Sequence, residues 1–101
     1  MKVLIIEDEL LAQAKLAAML NALDTSITIV AKLSSVKDTL TWLSQNPQPD
    51  VAFVDIQLSD DHSFEIFRKF PVQFPVVFTT AFDKYLLESF EFNSIDYLLK
   101  P

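Results

Sequence analysis

Asp55 closes an apolar run, Val51-Ala52-Phe53-Val54, and a second acidic cluster, Glu7-Asp8-Glu9, closes another, Val3-Leu4-Ile5-Ile6. Short runs of β-branched and large apolar residues bounded in this way fit strands of a parallel sheet buried on both faces, where the alternation of a half-buried strand disappears. If the two strands are neighbours, their carboxyl ends bring Asp8 and Asp55 into one crevice, the place where open α/β sheets bind ligands. Such an arrangement suits a divalent cation and a phosphoryl group.

Composition removes several competing chemistries. The chain of 101 residues is one domain's length, and 50% hydrophobic residues argue for a folded core. Fourteen acidic residues against eight basic ones give a formal charge of −6, with Arg68 the single arginine, so no basic patch stands ready for nucleic acid. Cysteine is absent, which excludes a disulfide framework, a thiol nucleophile and a Cys-based zinc site, and makes a reducing cytoplasm the expected compartment. Glycine is absent too, against an average usage of about 7%. No Gly-rich phosphate loop can exist, and turns must be made by Asn, Asp, Ser, Pro or a strained residue. The apolar start is cut too early by Glu7 for a signal peptide, and no run approaches the ~18 apolar residues of a membrane span. A soluble protein with no membrane partner is expected.

The elements that must position the acidic residues alternate along the chain. A strand over about Lys2 to Ile6 leads to a helix over about Leu10 to Leu23, with Leu11, Leu16, Met19, Leu20 and Leu23 as its apolar stripe and Asn21 and Asp24 helping to end it. Ile27 to Ala31 alternates as a half-buried edge strand does, with Thr28 and Lys32 toward water. Ser34-Ser35 opens a second helix with an acidic residue in its first turn, Val36, Leu40 and Leu43 form its buried stripe, and Pro47 and Pro49 close it. After the Asp55 strand comes a polar loop, Ser59-Asp60-Asp61-His62-Ser63, then a short helix from Phe64 to Phe70 stopped by Pro71. Pro75 to Thr80 is a fourth strand, Asp83 to Phe92 a fourth helix and Ile95 to Leu99 a fifth strand. Strict alternation predicts an all-parallel sheet with right-handed crossovers. Trp42, Phe64, Phe67, Phe70, Phe74 and Phe78 are expected to pack the core or the helices. Phe82, Tyr85 and Phe92 are expected near the surface, available to a partner.

Glu7-Asp8, Asp55, Thr80-Ala81 and Lys100-Pro101 each end a predicted strand, and in this order they resemble the receiver domain of two-component response regulators over the whole chain. The stretches Phe78-Thr79-Thr80-Ala81-Phe82-Asp83 and Phe90 to Pro101 look most like receivers attached to LytTR-type DNA-binding domains. The resemblance implies a flavodoxin-like, doubly wound, three-layer α/β fold with sheet order 2-1-3-4-5. It implies that Asp55 accepts a phosphoryl group from a sensor histidine kinase or a small phosphodonor, with Mg²⁺ held by Asp8, Glu7, Asp55 and the backbone carbonyl of Gln57. Lys100 would pair with the phosphoryl group from beside a cis peptide bond to Pro101, Thr80 would donate its hydroxyl to it, and Tyr97 would be the aromatic that moves inward on switching. The chain would be a phosphoacceptor switch more than an enzyme, reaching DNA only through an output domain outside this sequence.

Some positions depart from the family's usual pattern. Ser59 and Ser63 stand where the loop after the acceptor usually carries proline and glycine, and Glu7 stands for a more frequent aspartate, moving its carboxylate outward by one methylene toward a water-mediated contact. The sequence stops before the fifth helix of a receiver, so one apolar sheet face is expected to be uncovered, pointing to truncation or to a dimeric or exchanged arrangement. Two other function classes compete. A phosphohydrolase working through an aspartyl phosphate usually has a second aspartate two residues after the nucleophile, where this chain has Gln57, and 101 residues leave no room for a cap domain. An interaction module that keeps the fold without phosphorylation would not need Asp8, Asp55, Thr80 and Lys100 together. The pair Asp61-His62 offers only one histidine to a metal, and a lone histidine in a charged loop is expected to be solvated.

Overall fold

The computed structural model describes residues 1–80 and 94–99, the latter and Thr80 through their backbone. The elements run β1 (Lys2–Ile6), α1 (Leu10–Leu23), β2 (Thr28–Leu33), α2 (Val36–Gln45), β3 (Val51–Asp55), α3 (Phe64–Lys69), β4 (Val76–Thr80) and β5 (Ser94–Leu99). All pairings between strands are parallel, in the order β2-β1-β3-β4-β5. β1 and β3 are apolar without alternation because both of their faces are covered: Val3, Leu4, Ile5, Ala52 and Val54 are all fully buried. β2, at the edge, leaves Thr28 and Lys32 exposed, as its polar alternation predicts. The fourth helix expected from Asp83 to Phe92, including Phe82, Tyr85 and Phe92, and the Lys100-Pro101 pair lie outside the described residues.

Two apolar clusters divide the core by sheet face. On one, Leu4, Ile6, Ala52, Val54, Val76 and Phe78 pack with Val36 and Leu43 of α2 and Phe64 and Ile66 of α3. Trp42, Phe67, Phe70 and Phe74 join this cluster as expected, and Phe78 meets Phe64 and Phe67 edge to face, at 5.2 and 5.7 Å between ring centres. On the other face, Val3, Ile5, Val51 and Val77 meet Ala17 and Leu20 of α1, while Phe53 is half-buried.

The stripe expected on α1 is corrected by the structure. Leu20 is buried and Leu16 half-buried, but Leu11, Met19 and Leu23 are 69, 63 and 79% exposed. The helix is apolar nearly all round, so spacing alone does not choose a face. The sheet takes Gln13, Leu16, Ala17 and Leu20, which keep helical periodicity and admit one polar side chain whose amide finds carbonyls.

Turns are built without glycine by side-chain acceptors. At the end of α1, Asp24 Oδ1 accepts from both the N–H and the hydroxyl of Ser26, at 2.9 and 2.7 Å, and the Asp24 N–H donates to the Leu20 carbonyl at 3.1 Å. Ser35 caps α2 by accepting the Asp38 N–H at 3.0 Å, and Asn46 closes the helix by donating to the Trp42 carbonyl at 2.9 Å. Lys2 N–H reaches Asp50 Oδ2 at 2.7 Å, which aligns the start of β3 beside β1.

Candidate functional site

The parallel register brings the ends of β1, β3 and β4 level. Ile6 lies opposite Val54, and Asp55 lies opposite Thr79. Glu7 and Asp8 leave β1 just beyond Ile6, so the chain's first acidic cluster meets Asp55 at the carboxyl edge of the sheet. One carboxylate oxygen from each of Glu7, Asp8 and Asp55 can be chosen so that all lie within 4.8 Å of one another. Glu7 and Asp55 are buried, at 5 and 7% exposure, while Asp8 is half-buried. The extra methylene of Glu7 therefore does not carry its carboxylate out into solvent. Three carboxylates this close repel one another, and a site dominated by hard oxygen donors of one charge fits a small divalent cation.

Hydrogen bonds hold Glu7 and Asp55 in place. The Glu7 N–H donates to the Leu33 carbonyl of β2 at 2.8 Å, and the Glu9 N–H reaches back to Glu7 Oε2 at 3.2 Å. Gln13, buried on α1, donates from Nε2 to the Glu7 carbonyl at 2.5 Å and more weakly to the Leu33 carbonyl at 3.4 Å. Nothing local in the sequence marks Gln13 for this task, since Lys15 and Asn21 are polar on the same mostly apolar helix. Asp55 Oδ1 accepts the Gln57 N–H at 3.3 Å.

Beyond Asp55 the chain makes a closed turn. Gln57 bridges His62 in antiparallel fashion, Leu58 N–H donates to the Asp61 carbonyl at 3.0 Å, and Ser63 N–H donates to the Ile56 carbonyl at 2.7 Å. His62 is exposed, and Glu7, Asp8 and Asp55 form the one group of three or more metal-ligating side chains among the described residues. Asp60 is held below the ordinary aspartate range: burial pulls it up, but the backbone N–H groups of Val36 and Lys37, together with those of Asp60 and Asp61, outweigh that pull.

Of the remaining expected site residues, Thr80 ends β4 next to the acidic edge, and Tyr97 lies in β5 with its backbone in register with Phe78. Lys100 lies outside the described residues.

Comparison with known proteins places the whole chain. A family model described as the response regulator receiver domain matches residues 3–101. The sensory transduction protein LytT of Bacillus anthracis is 41% identical over all of this chain, and the transcriptional regulatory protein LytR of Staphylococcus aureus is 38% identical over the same extent. The chain spans 42% of the length of each of these curated relatives. The crystal structure of the response regulatory domain of protein mrkE from Klebsiella pneumoniae superposes with a TM-score of 0.89 at 34% identity, covering 100% of this chain and 84% of that one. A two-component response regulator from Clostridium difficile superposes with a TM-score of 0.85 at 26% identity, covering 99% of this chain and 83% of that one.

Proposed function

The chain belongs to the response regulator receiver family, and from that premise we propose that Asp55 is its phosphoacceptor and that Glu7, Asp8, Asp55 and the Gln57 carbonyl hold Mg²⁺. The observation that carries the reading is the cluster of three carboxylates at the ends of β1 and β3, with Glu7 and Asp55 buried. Three like charges brought this close, two of them buried, are the donor set that a small divalent cation takes. When bound, Mg²⁺ supplies positive charge against the equatorial phosphoryl oxygens.

The chain's own residues divide the remaining work. Asp55 supplies the carboxylate oxygen that bonds to phosphorus as the bond to the donor's leaving group breaks. The Gln57 N–H on Oδ1 fixes the rotamer in which it does so. Thr80, at the end of β4, donates its hydroxyl to the incoming phosphoryl group, and Lys100 adds an ammonium charge. Tyr97 then reports the change along β5. The phosphoryl donor is a histidine kinase or a small phosphodonor, and the domain's role is to switch a transcriptional output in the longer protein through a population shift rather than to turn over a substrate.

The test is intact mass after incubation with acetyl phosphate and Mg²⁺, alongside an Asp55→Asn chain and a metal-free sample. A single phosphoryl adduct requiring both Mg²⁺ and Asp55 is expected. An adduct that survives Asp55→Asn would move the acceptor elsewhere, and no adduct under any condition would leave an interaction module that uses the fold without phosphorylation.

A further inference from the structure

Asp60 stands at the tip of the turn that follows Asp55, and its carboxylate serves a different element. Oδ1 accepts the Val36 N–H at 2.8 Å and Oδ2 accepts the Lys37 N–H at 3.0 Å. These are the opening amides of α2, which the helix itself cannot satisfy. The Asp38 amide goes to Ser35 Oγ at 3.0 Å and the Thr39 amide to the Ser35 carbonyl at 3.1 Å, so the first turn of α2 is capped jointly by its own serine and by a residue 24 positions away. Beside Asp60, the Ser59 hydroxyl donates to the Ser34 carbonyl at 3.2 Å.

The same turn carries Gln57, whose N–H meets Asp55 and whose carbonyl faces the acidic site in the reading above. The turn contains neither proline nor glycine to preset its backbone, so its shape depends on its bonds. At its base those bonds are internal, from Leu58 to Asp61 and from Ser63 to Ile56. At its tip they run to α2, an element packed through Val36 and Leu43 into the main core.

We propose that Asp60 is a positioning residue for the acidic site, clamping the tip of the phosphoacceptor turn onto the N-terminus of α2 and so fixing where Gln57 presents its backbone to Asp55 and the cation. The proposal rests on the reading of the site as a Mg²⁺-dependent phosphoacceptor. It makes the cap of α2 and the geometry of the acceptor turn two uses of one carboxylate.

The experiment is a calorimetric Mg²⁺ titration of the native chain, Asp60→Ala, Asp60→Asn and Ser35→Ala, with amide hydrogen exchange at Leu58 and Ser63 as the second readout. Asp60→Ala is expected to weaken Mg²⁺ binding about tenfold, the loss typical when a partner behind a metal ligand is removed. It is also expected to speed exchange at both amides. Asp60→Asn keeps an acceptor oxygen and should lose less. Ser35→Ala removes a cap from the same helix while leaving the turn clamped, and should bind Mg²⁺ as the native chain does. Native affinity in Asp60→Ala, or an equal loss in Ser35→Ala, would overturn the proposal. A native chain that does not bind Mg²⁺ at all would instead overturn the phosphoacceptor reading, and the clamp's role with it.

Discussion

Ser63 shows what a single atom costs in this fold. It is fully buried at the start of α3, its hydroxyl has no hydrogen-bond partner, and its backbone, at φ −63° and ψ −17°, is right-handed and open to any residue. A glycine is therefore not required at this position, and alanine keeps the β-carbon while removing the unsatisfied hydroxyl. Ser63→Ala is expected to raise stability by about 1 kcal/mol in urea denaturation, since burying an unpaired hydroxyl costs roughly that much. Gln13 is the opposite case. Replacing it with leucine keeps the volume but leaves the Glu7 carbonyl without its amide donor, and should cost about 1–3 kcal/mol in the same assay. Asp60 adds a pH dependence with a definite sign. Its folded-state value lies below its ordinary one of 3.8, so the folded chain binds fewer protons there than the unfolded chain. That contribution is complete above pH about 3.8 and is lost as the pH falls through the lowered value. Thermal unfolding of Asp60→Asn against pH should show a shallower acid limb than that of the native chain, and an identical limb would exclude the contribution.

Helices differ in how plainly their sequences describe them. α2 was legible because Ser35, Asp38 and the Val36, Leu40, Leu43 spacing agree, so cap, first turn and buried face all point one way. Ser35→Ala should cost about 1 kcal/mol, measured by thermal unfolding, because the Asp38 amide loses its acceptor. The boundaries of α1 were equally legible, yet its buried face was not. With leucines and alanines on every side, the decision passes to the sheet, which selects Leu20 and leaves Leu11 exposed. Leu20→Ala should accordingly destabilise by about 2–5 kcal/mol, while Leu11→Gln should stay within about 0.5 kcal/mol. The clamp from Asp60 to α2 had no sequence signature at all. Capping residues are recognised by their position just before a helix, and this one arrives from another loop 24 residues on.

At the scale of the molecule, the strand ends were readable before the fold because the apolar runs stop at polar groups: carboxylates at Glu7 and Asp55, a hydroxyl at Thr80 and an ammonium at Lys100. Alternation and chirality then implied parallel strands, the resemblance implied their order, and the registers that the structure adds make the carboxylates neighbours. Charge is the cost of that convergence, in a chain already at a formal −6. Mg²⁺ at one hundred times its Kd should stabilise the native state by about 2.7 kcal/mol, raising Tm by about 10 °C or more in a chain of this size, and Asp55→Asn should lose most of the rise. A Tm indifferent to Mg²⁺ would disconnect the acidic cluster from cation binding. The central place of β1 reaches further, into the chain's own synthesis. Both neighbours of β1 in the sheet, β2 and β3, follow it in the chain, so its backbone N–H and C=O edges are not both paired until Asp55 has emerged. Nascent chains released at increasing lengths should remain protease-sensitive until β3 is available and gain protection abruptly once it is. The growing chain is thus most open to wrong pairing in the interval between the synthesis of Val3 to Ile6 and that of Val51 to Asp55.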